Sequence, residues 1–186
     1  ASAREHGEPS LGGRPPRAQL RVQWMGPVPV RASSDDASFV LGEMESQDVD
    51  VNLGEEIAAS PGEPPIGVPT STIVQSKATG SRTIISCRRG LRELSPEHFA
   101  AHLPRLPLSG VRGWVHLEGR QYSTVVQMAQ EVSRRQARGE GWQLSVEVEK
   151  TEIQTAQALE LAVDAEVVYF SRVWVEAHAD ELCGPG

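Results

Sequence analysis

The chain of 186 residues carries 18 Lys and Arg against 25 Asp and Glu, a formal charge of −7, and is 39% hydrophobic. That length and apolar content suffice for one buried core, so one domain with an unstructured arm is expected, and the acidic balance excludes a general nucleic-acid binder, whose phosphate contacts need clustered cations. Cys87 and Cys183 cannot make a disulfide framework or a Cys-x-x-Cys motif, and without an apolar leader or a run of about 18 apolar residues the chain is expected to be neither exported nor membrane-spanning, working in the reducing cytoplasm.

Residues 1–35 are rich in Pro, Gly, Arg and Ser and show no sustained period of two or 3.6, which predicts a disordered arm. Only LRVQWMG, Leu20 to Gly26, has strand character there. Between Asp36 and Gln47 an acidic start and a stripe at Phe39, Val40, Glu43 and Met44 predict a short helix. NLGEEIAASPGEPP then reads as a loop, and the β-branched runs IGVPTSTIVQ and RTIISC, joined by SKATGS, read as a hairpin.

Ser95, Pro96 and Glu97 supply a cap, a first-turn proline and a first-turn acid for another short helix. Beyond it the strand candidates GWVHLEG, WQLSVEVE and AEVVYFS alternate with the helix candidates TVVQMAQEVSRRQA, EIQTAQALELAV and WVEAHADEL. Three such alternations predict an α/β fold, because parallel neighbours need crossovers of about helix length. Val125, Met128, Ala129 and Val132 share one helical face, whereas Arg134, Arg135 and Arg138 read as a solvated one.

Parallel sheets bind ligands beyond the carboxyl ends of their strands, which directs attention to Glu118–Arg120, Glu147–Lys150 and Ser171–Arg172. Glu147 and Glu149 face the same side if the strand continues through both. They read either as carboxylates holding magnesium through water or as exposed edge residues with Lys150 as counter-ion. Arg82, at the end of a Gly-Ser-Arg turn, reads either as a guanidinium gripping phosphate oxygens or as a solvated hairpin arginine. His98 and His102, four apart on a helix, and His116 in a strand read as structural histidines, no direct metal ligand set is expected, and no Walker loop, Gly-x-Ser-x-Gly elbow or dinucleotide fingerprint occurs.

GSRTI, HLEGR (His116 to Arg120) and SVEVEK (Ser145 to Lys150), in that order and spacing, resemble the central part of ketohexokinase, the fructokinase of the ribokinase/PfkB carbohydrate kinase superfamily. FVLGEMESQDVDV and VVYFSRVWVEAH extend the resemblance across about Asp36 to Asp180. It implies a ribokinase-like domain over residues 36–186: a partial parallel sheet flanked by helices, with a β-hairpin lid at about residues 67–88 that clasps a second subunit in a homodimer. It further implies ATP-dependent phosphorylation of the 1-hydroxyl of fructose or a related ketose, with magnesium and a potassium-type ion. Arg82 matches the lid arginine that reaches the phosphates.

The sequence also departs from that family. Its sugar-binding Gly-Gly-Asn segment is missing, and so is the Gly-Ala-Gly-Asp segment that supplies the anion hole and the general-base aspartate. Ser171-Arg172-Val173-Trp174 stands where many superfamily members have an Asn-x-x-Glu motif, so Ser171 and Arg172 are the weaker site candidates and Trp174 is expected to pack. Without its base and preorganised amides a phosphoryl-transfer site loses orders of magnitude in rate. The chain therefore reads as an incomplete kinase, inactive alone, and the alternative is a noncatalytic dimerisation module that keeps the lid hairpin.

Overall fold

A computed structural model describes residues 20–106 and 111–184; most of the expected arm, residues 1–19, lies outside them. The part of that arm within the described residues is not disordered. Val22–Gln23 (β1) and Pro27–Pro29 (β2) are followed by the helix Asp35–Ser46 (α1), and then by Val49–Asp50 (β3) and Glu55–Ile57 (β4). β1 pairs in parallel with β3 and β2 with β4, one extra residue entering between the two short ladders. Across that interruption Trp24 N donates to Asp50 O and Glu55 N to Gly26 O, both at 2.9 Å. The prolines of β2 fit a two-stranded edge pairing, where their missing N–H groups cost no ladder bond.

α1 forms where its acidic start predicts, with Asp35 and Asp36 in the first turn, and the structure adds a cap, the Ser34 hydroxyl accepting from Ala37 N. Its buried face differs from the expected stripe. Ala37 and Leu41, one turn apart, pack with Val28 and Val51, while Phe39 is 68% exposed. β4 lies inside the stretch expected to be a loop. Its alternation is hidden from composition because Glu55 takes one of the two buried positions.

The predicted hairpin consists of Thr70–Gln75 (β5) and Arg82–Cys87 (β6), antiparallel, with Ile73 opposite Ile84 and Gln75 opposite Arg82. Gly80, at φ +71°, closes the turn in the left-handed region that glycine enters at little cost. Every residue of both strands is exposed. One face carries Ile73, Ile84 and Arg82, and the other Val74 and Ile85.

The larger core follows. Pro96–His102 (α2) leads to Gly113–Glu118 (β7), Tyr122–Ala137 (α3), Trp142–Val148 (β8), Thr155–Val163 (α4), Val167–Phe170 (β9), Arg172–Ala177 (α5) and Ala179–Cys183 (α6). β7, β8 and β9 form a parallel sheet in that order. Val115, Leu117, Leu144, Val146 and Val148 project from its covered face onto Val125, Met128, Ala129 and Val132 of α3 and Ala158 and Leu161 of α4. The molecule is thus a mixed α/β protein with small parallel and antiparallel sheets flanked by helices.

Two expectations change at the helix ends. The fourth helix starts at Thr155 rather than Glu152, and the closing helix is broken at His178 into α5 and α6. Arg135 is the larger correction. Its side chain is 8% exposed, bound to Glu131 at 2.9 Å, to Ala100 O at 3.0 Å and to Pro104 O at 3.4 Å, so it joins α3 to α2 instead of facing solvent. Arg134 does face solvent, at 61%.

Candidate functional site

The strands β7 and β8 end side by side, Glu118 opposite Glu147, and both chains turn there into helices. Gly119 makes the first turn: a Cβ at this position would lie 2.0 Å from Glu147 O, so only glycine lets the chain leave β7 against the backbone of β8. The turn delivers Arg120, and the equivalent exit from β8 delivers Lys150. A cleft of about 400 Å³ lies between them, lined by Arg120, Tyr122, Lys150, Glu152, Ile153 and Gln157.

Within the cleft Arg120 Nε donates to Glu118 Oε2 at 2.6 Å, an exposed pair that orients the guanidinium along its own strand end. Tyr122 donates its hydroxyl to Glu160, and this hydrogen bond, with some burial and the Glu160 charge, holds the phenol above its ordinary pKa. Gln157 Oε1 accepts from Gln154 N at 2.9 Å, closing the start of α4. α3 has no such closure, since its cap position, Gln121, makes no side-chain bond to the first turn.

The residues expected to form a site fall in different places. Glu147 stands on the open face of the sheet, flanked by Glu118 on β7 and Tyr169 on β9. β8 stops at Val148, so Glu149 has left the strand and does not share that face by strand alternation; its carbonyl is held instead by the Ser171 hydroxyl at 3.1 Å. Ser171 also accepts from Trp174 N, which makes it the cap of α5. Arg172 is 86% exposed and reaches Glu176 at 3.6 Å. Trp174 packs as expected, 1% exposed with its indole donating to Ile153 O at 2.8 Å.

Arg82 is the first residue of β6 and is exposed. Among the described residues no hydrogen bond or ion pair joins its side chain to any of these groups. The histidines have local partners: His98 stacks on His102 at 3.9 Å and bonds Leu53 O, and His116 Nδ1 lies 2.9 Å from the Ser145 hydroxyl, which also takes the Trp114 indole N–H at 2.8 Å. No three His, Cys, Asp or Glu side chains among the described residues are placed to hold a metal ion, and no helix among them is long and apolar enough to cross a membrane.

Arg120 and Lys150 lie within the strand-end ranges that the sequence singles out, but neither was a site candidate in its own right. Their signal is positional, since each stands two residues beyond the last residue of its strand. Tyr122 and Gln157 carry no sequence signal of this kind. No protein-family model matches the chain, and no curated protein matches it.

Proposed function

We propose that the chain carries the lid hairpin and sheet end of a ketohexokinase-like carbohydrate kinase of ribokinase-like architecture, a cytoplasmic protein whose relatives phosphorylate the 1-hydroxyl of fructose from ATP. The observation that carries this reading is the β5–β6 hairpin, with Arg82 opening the return strand and available for an external anion. A guanidinium on such an arm offsets charge on a transferring phosphoryl group. The parallel sheet supports the same reading, since its strand ends are where an α/β enzyme binds substrate.

The carboxylates do not support a magnesium site held jointly by Glu147 and Glu149, because the strand ends between them. In this reading magnesium and potassium accompany bound ATP. The sequence contains no Gly-x-Gly-Asp, and the general base for the sugar hydroxyl is accordingly not among its residues. What these residues supply is phosphate binding without turnover.

The test is calorimetric titration of the chain with ATP in magnesium and potassium, beside a coupled fructose assay and the Arg82→Ala variant. Saturable ATP binding that weakens about tenfold in the variant supports the reading, that being the scale of one lost charge-assisted hydrogen bond. Absence of ATP binding by the folded chain overturns it. A second reading, a noncatalytic homodimer joined through the hairpin, rests on the exposure of Ile73, Val74, Ile84 and Ile85 on its two faces.

A further inference from the structure

The structure assigns an oxyanion site to the cleft between Arg120 and Lys150, and we propose that it takes a phosphate group. Its position is the first argument. The cleft opens beyond the carboxyl ends of two adjacent parallel strands, between the loops that lead into α3 and α4. Gly119 builds that position, because the approach to Glu147 O that it permits sets Arg120 beside the exit of β8.

The donors are the second argument. Glu118 engages only the Nε of Arg120, and among the described residues neither Nη takes part in a side-chain hydrogen bond. A carboxylate behind the guanidinium fixes its plane and leaves the outer fork for a bidentate oxyanion. Lys150 has no carboxylate within 4.0 Å among the described residues, so its ammonium adds an uncommitted point charge. The uncapped start of α3, with Tyr122 in the cleft wall, leaves first-turn N–H groups without side-chain acceptors.

The chemistry of the wall selects the anion. Glu152 lines the same cleft and repels a ligand that brings no strong compensating contacts. A tetrahedral phosphate offers three acceptor oxygens and close to two charges near neutral pH, enough to engage both cations at once. A carboxylate satisfies the arginine fork alone. The site is separate from Arg82, and it rests on the kinase reading only for the identity of the phosphate carrier in the cell.

The experiment titrates the full chain with inorganic phosphate and with acetate at constant ionic strength, read by amide chemical shifts. The expected result is saturable phosphate shifts confined to Gly119–Ser123 and Lys150–Gln154, with acetate weaker. Arg120→Gln and Lys150→Gln should each weaken phosphate binding about tenfold, whereas Arg138→Gln, exposed at the far end of α3, should leave it within about twofold. Wild-type shifts spread over the surface, equal shifts from acetate, or equal binding by all variants would overturn the assignment. Saturable phosphate shifts at the cleft in a chain that binds no ATP refute the kinase reading alone, so the two failures are distinguishable.

Discussion

Glu55 on β4 holds Ser95 at the start of α2 by two bonds, accepting from the backbone nitrogen at 2.7 Å and from the hydroxyl at 2.9 Å. Through this pair the small cluster around Val28 and Leu41 is fastened to the larger core around Leu144 and Val132. His98 reinforces the joint by donating Nε2–H to Leu53 O at 2.9 Å.

Burial by itself would raise the pKa of Glu55, but the two Ser95 hydrogen bonds and the charges of Arg92 and His98 outweigh it and hold the carboxyl below its ordinary value. A depressed folded-state pKa contributes stability above the unfolded value, near 4.5, and loses it as pH falls through the folded value. Glu55→Gln should therefore lower stability near neutrality by about 1–3 kcal/mol and flatten its fall at acid pH. Urea unfolding of both proteins at pH 7 and pH 3 measures this; an unchanged pH profile would remove Glu55 from the account.

Arg135 is held between Glu131 and Glu140, so truncating it leaves the nearly buried Glu140 without its cation and Glu131 with only the exposed Arg134. Arg135→Ala should cost about 3–5 kcal/mol. Arg134→Ala, which removes an exposed partner of the same Glu131, should cost at most about 1 kcal/mol. Denaturant midpoints of the two variants decide, and equal losses would contradict the burial of Arg135.

Gly119→Ala places a methyl group 2.0 Å from a backbone oxygen that cannot move without disturbing β8. Destabilisation by about 1–3 kcal/mol is expected, together with weaker phosphate binding, because the turn that carries Arg120 must shift. Gly80→Ala meets no atom within 4 Å and is strained only by its φ of +71°, so it should cost about 1 kcal/mol and leave phosphate binding unchanged. Thermal melts and phosphate titrations of the two variants separate these outcomes.

Ile85→Lys and Val74→Lys introduce charge on the hairpin face opposite Arg82 without touching either buried cluster. Both should fold with stabilities within about 0.5 kcal/mol of the parent. If the second copy docks on this face, sedimentation should show a dimer for the parent and a monomer for both variants. A dimer that persists in both would place any interface elsewhere.

The hairpin and the three strand–helix alternations were legible because period two, turn glycine and helical spacing report backbone geometry directly. Glu55 and Arg135 defeated the same logic, each a charge at a buried position; Glu55 is held by Ser95 and Arg92, and Arg135 is buried by the distant carbonyls of Ala100 and Pro104, so β4 read as loop and the Arg135 face as solvated. Phe39 misled in the opposite sense, an apolar residue left outside. For the site, the rule for parallel strand ends reached the segments holding Arg120 and Lys150, but the cleft itself depends on how Gly119 brings two loops together, which no local pattern encodes. Ser171 was marked for chemistry and serves as a helix cap.

The hairpin has a further consequence, and it concerns time. A ladder in which every side chain is exposed is held by its backbone bonds and one Ser71–Ser86 hydroxyl contact, with little apolar burial to make its rupture cooperative with that of the core. Its amides should exchange with deuterium long before those of β8, whose Leu144, Val146 and Val148 are fully buried. A ligand or second copy that covers β5 and β6 would announce itself as slowed exchange there, even if the rest of the molecule kept its rates.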